Sequence, residues 1–232
     1  MNDIILECHN LWKAFTVRGK EIVVLRGVNL AVRSGETVVI RGRSGTGKSI
    51  LLWLLSGLDR PTSGEVLLEG RSLSSLSGGE LAQVRRDRIG IIFQNFNLIE
   101  SWTASENVEA ALHHGQMPKK ARWAKAIKAL EDLALAERLD NLPSELSIGE
   151  QQRVAIARTL MNDPALILAD EPTGDVDPET AKEIVEMLVA PVKQKGTALI
   201  IATHGNLPLD IADRELWLRD GILVPQDAVP KP

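Results

Sequence analysis

GRSGTGKS, residues 42–49, is the stretch on which the reading of this chain turns. It fits the pattern G-x-x-x-x-G-K-[ST], with the apolar run TVVI (37–40) before it and ILLWLLSGL (50–58) after it. A strand that feeds a glycine-rich turn and then a helix is the setting this motif needs. Gly42, Gly45 and Gly47 free the backbone to wrap an anion. The amides of Arg43, Ser44 and Thr46, with the positive helix end, can then point at phosphate. Lys48 is placed to reach the β- and γ-phosphates of a nucleoside triphosphate, and the Ser49 hydroxyl to bind Mg²⁺. An ordinary glycine-rich turn requires neither the lysine nor these flanks.

Working outward, IVVL (22–25) and TVVI read as strands separated by a turn at Ser34 and Gly35. ILLWLLSGL is apolar on nearly every side and suits a helix buried beneath a sheet. Pro61, Ser63 and Gly64 make a turn before a short strand, EVLLEG. From Ala121 to Leu139 the residues Ala124, Ile127, Leu130 and Ala134 recur at helical spacing, with Lys125, Lys128, Glu131 and Asp132 on the polar side. Two later runs, ALILA (165–169) and TALIIAT (197–203), are short and wholly apolar, as central strands of a parallel sheet are. Strands alternating with helices predict an α/β core over about 1–95 and 161–224, with a helix-rich insertion at about 96–160. The end, PQDAVPKP (225–232), reads as a frayed tail.

The ALILA run ends in Asp170 and Glu171. A carboxylate at such a strand end can hold Mg²⁺ through its water shell, and the next one can orient and deprotonate an attacking water. Two acidic residues at a strand end are often no more than a turn. Beside a phosphate loop they form the expected second half of a hydrolytic site.

Composition narrows the alternatives. The 232 residues are 44% hydrophobic, enough for a packed core. A net charge of −4 argues against a nucleic-acid groove. The single cysteine, Cys8, rules out an internal disulfide framework and fits a reducing compartment. The start, MNDIILECHNLW, has no signal pattern, and no stretch approaches the ~20 apolar residues that cross a bilayer. The chain is thus expected to reach a membrane only through a partner.

One string, PSELSIGEQQRVAIARTLMNDPALILADEPTGDVD (143–177), makes the chain resemble the ATP-binding subunits of ABC transporters, and the likeness covers nearly its whole length. That family implies a P-loop NTPase, RecA-like core with a parallel central sheet, an N-terminal antiparallel β subdomain and an inserted α-helical subdomain. It also implies ATP and Mg²⁺ as cofactors. Its signature opens a helix a little over twenty residues before the magnesium-binding aspartate. LSIGE (146–150) stands at that distance from Asp170, whereas LSGGE (76–80) has no acidic strand end behind it and reads as a loop before a helix, with Ser77 as a cap. The family's nucleotide sandwich implies two copies meeting head to tail. Ser147, Gly149 and Glu150 of one copy would then face the γ-phosphate held by Lys48 of the other.

The same resemblance gives Gln94 as the loop glutamine near Mg²⁺ and the attacking water. It gives Asp177 as the aspartate of the loop crossing the dimer interface, His204 as the switch histidine on the γ-phosphate, and Phe15 as the aromatic beside adenine. A lone histidine or phenylalanine is more often a packed residue, so His204 and Phe15 draw their roles from their place in the ordered set. Two positions depart from the family pattern: Ile148 inside the signature and Gly205 after the switch histidine. FQNFNLIESWTASENVEAAL (93–112) is most similar to the subfamily of lipoprotein release, macrolide export and a cell-division complex. The implied partner is an integral membrane permease seated in a groove near Phe96 and Leu98, with Trp102 and Trp123 either on that surface or in the helical core. The implied location is the cytoplasmic face of the inner membrane. Competing functions are a signalling ATPase of a membrane complex and a DNA-repair ATPase. The latter ordinarily carries long coiled-coil or zinc insertions that this chain lacks.

Overall fold

The computed structural model describes residues 3–174, 176–205, 207 and 210–226. Two sheets enclose the phosphate-loop helix. The first is antiparallel, in the order β2-β1-β4-β5, from β1 (Ile4–Val17), β2 (Lys20–Arg33), β4 (Ser63–Leu68) and β5 (Arg71–Ser72). The second runs β10-β9-β3-β8-β7-β6. Here β3 (Thr37–Arg41), β6 (Ile89–Ile92), β7 (Leu166–Asp170), β8 (Ala198–Thr203) and β9 (Arg214–Arg219) pair in parallel, and β10 (Ile222–Pro225) is antiparallel at the edge. β3, β7 and β8 are buried on both faces apart from Arg41, which is why they read as unbroken apolar runs.

Helix α1 (Lys48–Leu55) lies between the sheets. Its Leu51, Leu52, Leu54 and Leu55 join Leu6 and Leu11 of the first sheet and Ile40, Leu168 and Ile200 of the second in one core. Burying each such side chain stabilises the fold by roughly 1.5–3 kcal/mol, which fixes the loop before it. The burial expected on nearly every side is incomplete, because Trp53 is 40% exposed. The remaining helices are α2 (Gly78–Arg88), α3 (Ala104–Glu109), α4 (Lys119–Asp132), α5 (Ile148–Leu160) and α6 (Pro178–Lys195). Helix α6 covers the outer face of the parallel sheet through Ile184, Val185 and Leu188. Helices α3, α4 and α5 share a third core built on Val108, Leu130 and Val154.

Two expectations are corrected. The helix placed over Ala121–Leu139 stops at Asp132, because Ala134 is left-handed (φ 59°) and a short turn (136–138) follows. Its buried stripe therefore runs through Ala126 and Leu130, while Ala124 and Ala134 face solvent. Pro225, placed in the frayed tail, instead pairs with Leu216 in β10; residues 227–232 of that expected tail lie outside the described residues.

Candidate functional site

The phosphate loop leaves β3 at Arg41 and enters α1 at Lys48. Helices α2, α3, α5 and α6 start on a capping side chain, Ser77, Thr103, Ser147 and Asp177 respectively. Helix α1 starts on Gly47 with no side-chain cap, so its first-turn amides are left for an outside acceptor. Gly47 is required twice over. Its φ is 98°, and a Cβ there would lie 2.6 Å from Val24 Cγ1. Thr46 Oγ1 donates to the Arg43 carbonyl (2.9 Å), closing the loop on itself. Lys48 is buried, and its Nζ donates to the Gly42 (2.9 Å) and Arg43 (3.3 Å) carbonyls.

The ends of β3, β8 and β7 bring four chemical groups together. Lys48 Nζ is 3.3 Å from Glu171 Oε1. Glu171 Oε2 accepts from the His204 amide (3.2 Å) and lies 3.0 Å from His204 Nδ1. Glu171 takes a left-handed backbone (φ 48°), unusual for a non-glycine residue, and its amide donates to the Ala202 carbonyl (2.8 Å) across the strand ends. Burial pushes its carboxyl up, but hydrogen bonds from the His204 ring and backbone and the Lys48 charge outweigh this and hold it below the usual glutamate range. Asp170 moves the other way. Burial raises it, the Ser49 hydroxyl opposes the rise, and the neighbouring Glu171 charge adds to it. Neighbouring carboxylates with opposite shifts are how one site holds two different roles.

Asp170 Oδ1 is buried with no hydrogen-bond partner among the described residues. A buried carboxylate oxygen without a donor is costly unless a cation meets it. With the Ser49 hydroxyl on the same side chain, the donor set is hard oxygen, which fits Mg²⁺. Gln94 lies exposed two residues beyond Ile92, which pairs with Ala169 in the neighbouring strand, and it has no hydrogen-bond partner among the described residues. Phe15 is 37% exposed rather than part of the core, with Lys13 Nζ 4.8 Å from its ring centroid. Trp102 and Trp123 are half-buried, as are Phe96 and Leu98.

The two LSxGE strings form the same local structure. Ser77 and Ser147 are N-caps at φ −66° and −63°, and in each the glutamate three residues on returns a bond to the serine amide. What separates them is their surroundings. Gly78 and Gly79 have nothing within 4 Å of a built Cβ, whereas a Cβ on Gly149 would lie 2.7 Å from Thr180 Cγ2 of α6. Ser147, Gly149, Glu150, Asp177 and Thr180 line one groove of about 420 Å³, and no residue of 42–49 is among its walls. Ile148 is 45% exposed and lines the same groove, so the departure from the family pattern puts an apolar side chain on that surface while the capping bonds of the helix start stay intact. Gly149→Ala is expected to force α5 and α6 apart and cost about 1–3 kcal/mol, while Gly79→Ala is expected to be neutral or stabilising by up to about 1 kcal/mol. Urea unfolding of the two variants checks the contrast.

Two supporting residues carry no motif and were not visible in sequence. Arg41 Nη1 donates to the Gly205 carbonyl (2.5 Å) while its Nε and Nη2 grip Glu215 (3.1 and 2.9 Å), so β3 and β9 hold the turn after His204 that Gly205 alone would leave loose. Arg158 donates to the Phe96 and Asn97 carbonyls (both 2.6 Å), whose residues are both left-handed. A basic residue in the last turn of a helix reads from sequence as complementing the helix dipole, and that reading hides such a clamp.

Comparison with known proteins agrees with this geometry. A family model described as ABC transporter matches residues 25–174. An uncharacterized ABC transporter ATP-binding protein of Thermotoga maritima is 44% identical over 217 residues, covering 94% of this chain and 92% of that one. The macrolide export ATP-binding/permease protein MacB of Brucella melitensis is 42% identical over 94% of this chain, which spans 33% of MacB. Among solved structures, a dimeric post-hydrolysis state of the ATP-binding cassette MJ0796 bound to ADP and Pi superposes with a TM-score of 0.88 at 39% identity, covering 94% of this chain and 96% of that one. The resemblance to the macrolide-export branch and the α/β fold therefore both hold, and the chain belongs to the ABC transporter family, as an ATP-binding subunit that hydrolyses ATP.

Proposed function

We propose that two copies of this chain close head to tail on two ATP molecules and, by closing and reopening, drive an integral membrane permease from the cytoplasmic face of the membrane. The observation that carries this reading is the division of the site. Lys48, Ser49, Asp170, Glu171 and His204 converge at one set of strand ends, while Ser147, Gly149 and Asp177 line a separate groove. The second group completes a nucleotide site only when a second copy supplies it, and MJ0796, of the same family, is dimeric in its solved structures. No helix among the described residues is long and apolar enough to cross a membrane. The loop of Gln94, Phe96 and Leu98 is the surface we assign to that partner.

Within the composite site the roles follow from position. The open amides of α1 and the Lys48 ammonium hold the β- and γ-phosphates, and Phe15 offers its exposed face to adenine. Ser49 and Asp170 would hold Mg²⁺, which supplies neutralising charge on the phosphate oxygens. Glu171, ionised at neutral pH, accepts the proton of the attacking water. His204 fixes that carboxylate, and its ring is exposed enough to reach the γ-phosphate. Gln94 orients the water from the neighbouring strand end. Binding of the nucleotide replaces the Gly42 and Arg43 carbonyls as partners of Lys48.

Lys48→Ala tests the phosphate end directly. It removes a buried cation together with its bonds to the Gly42 and Arg43 carbonyls while keeping every loop glycine, and loss of a charge-assisted contact of about 1.5–3 kcal/mol corresponds to roughly 10–100-fold weaker ATP binding. Titration with a fluorescent ATP analogue measures it. An unchanged affinity would mean that this loop does not bind the nucleotide.

A further inference from the structure

The signature groove is made of two helix starts, α5 at Ser147 and α6 at Asp177, and each brings a carboxylate to a place where a polyphosphate must dock. Asp177 is turned onto its own helix, accepting from the Glu179 and Thr180 amides (both 3.0 Å) and from Thr180 Oγ1 (2.6 Å). Glu150 is held differently. One oxygen accepts from the Ser147 amide (2.8 Å), and the other accepts from Arg138 Nε (2.8 Å). Arg138 does not belong to the signature; it comes from the turn at 136–138, beyond the left-handed Ala134 that also lines the groove. The cation on the groove wall itself, Arg153, reaches away to Glu183, whereas Arg138 meets Glu150 from behind that wall. Arg138 is thus the group that offsets the carboxylate three residues from the motif serine.

We infer that Arg138 is a positioning residue for ATP bound in trans. It pins the Glu150 carboxylate back against the helix start and cancels its charge, so that an acidic signature receives a triphosphate as a neutral one would. The inference rests on the reading that Ser147 meets the ATP held by a second copy. Without Arg138, an unpaired carboxylate would face the γ-phosphate in an interface that excludes water as it closes, where screening is weakest. The chain contains its own control. Arg71 Nη2 donates to Glu80 Oε1 (2.9 Å), the same bond to the same capping box in the other LSxGE string, away from the groove.

The test uses the full chain carrying Glu171→Gln, with Mg²⁺ and ATP, and reads the dimer dissociation constant by sedimentation and the ATP affinity of the monomer by fluorescence. Arg138→Met is expected to weaken the dimer about tenfold or more while monomer ATP affinity stays within twofold. Arg138→Lys is expected to recover most of the loss. The double variant Arg138→Met, Glu150→Gln is expected to match Glu150→Gln alone, because without the carboxylate there is no charge left to offset. Arg71→Met, which removes the equivalent bond, is expected to leave the dimer unchanged. A purely structural role for Arg138 predicts no rescue by Glu150→Gln, and that outcome overturns the inference, as does an unchanged dimer in Arg138→Met. Ser147→Arg in the same background separates the two levels. If it blocks the dimer while Arg138→Met does not, only the inference falls; if it too is silent, the trans reading falls and takes the inference with it.

Discussion

Replacing Glu171 by glutamine is expected to lower steady-state ATP turnover by about a thousandfold, within the 10²–10⁴ range of a lost general base, while ATP binding stays within a few-fold of the parent. The geometry explains the split. A carboxamide oxygen can still accept from the His204 amide, so the turn at the end of β8 keeps its place. What disappears is the ability to take a proton from water, along with the charge that faces Lys48. The amides of α1 and the loop glycines, to which we assign nucleotide binding, are untouched. An ATP-loaded dimer should therefore accumulate where the parent forms one only in passing. Phosphate release and size exclusion with ATP read the two effects separately. Turnover within a few-fold of the parent would remove Glu171 from the role of base.

The second large effect concerns the two LSxGE strings. Ser147→Arg is expected to abolish activity by placing a long cation in the groove between the helix starts, whereas Ser77→Arg is expected to cost only its helix cap, about 1 kcal/mol of stability. Their local structures are alike down to the reciprocal bonds with Glu80 and Glu150, so helix stability cannot account for such a difference. Mixing carries the test further. At ATP concentrations below the weakened affinity of Lys48→Ala, that chain and Ser147→Arg are each expected to be inactive alone, but a mixed pair contains one site with both halves intact. For random two-fold pairing, activity should return to roughly a quarter of the parent value. Loss of activity in Ser77→Arg together with its survival in Ser147→Arg would exchange the assignments of the two strings.

Much of this was legible in the sequence because the residues concerned answer to local rules. Three strands of the parallel sheet, β3, β7 and β8, announce themselves as apolar runs, whereas β6 and the charged β9 (RELWLR) do not, and the phosphate loop is written in consecutive residues. Other features depend on contacts distant in sequence. Nothing in LSIGE marks Gly149 as wedged against Thr180, and nothing in LSGGE marks Gly79 as open; both strings satisfy the same capping-box rule, and only the neighbouring helix tells them apart. The helical pattern through Ala134 continued past the true end of α4 because alanine fits a helix by propensity, while the chain turns there through a left-handed residue. Arg41, Arg138 and Arg158 were silent for a related reason. Each acts on a backbone or carboxylate far along the chain, and a surface arginine is ordinary until its partner is seen.

Helix α5 has a mechanical consequence. Its first turn carries Ser147 into the groove, its middle is locked into two hydrophobic cores through Val154 and Ile156, and its last turn holds the Phe96 and Asn97 carbonyls through Arg158. Ser147 and Arg158 are thus the two ends of a stiff rod about 17 Å long at the ordinary helical rise. A tilt of about 5° pivoting at the Arg158 end swings the serine by roughly 1.5 Å, about half the length of a hydrogen bond. If the proposed partner moved the loop at 96–97 together with α5 by such an angle, the proposed signature would shift into or out of reach of a phosphate.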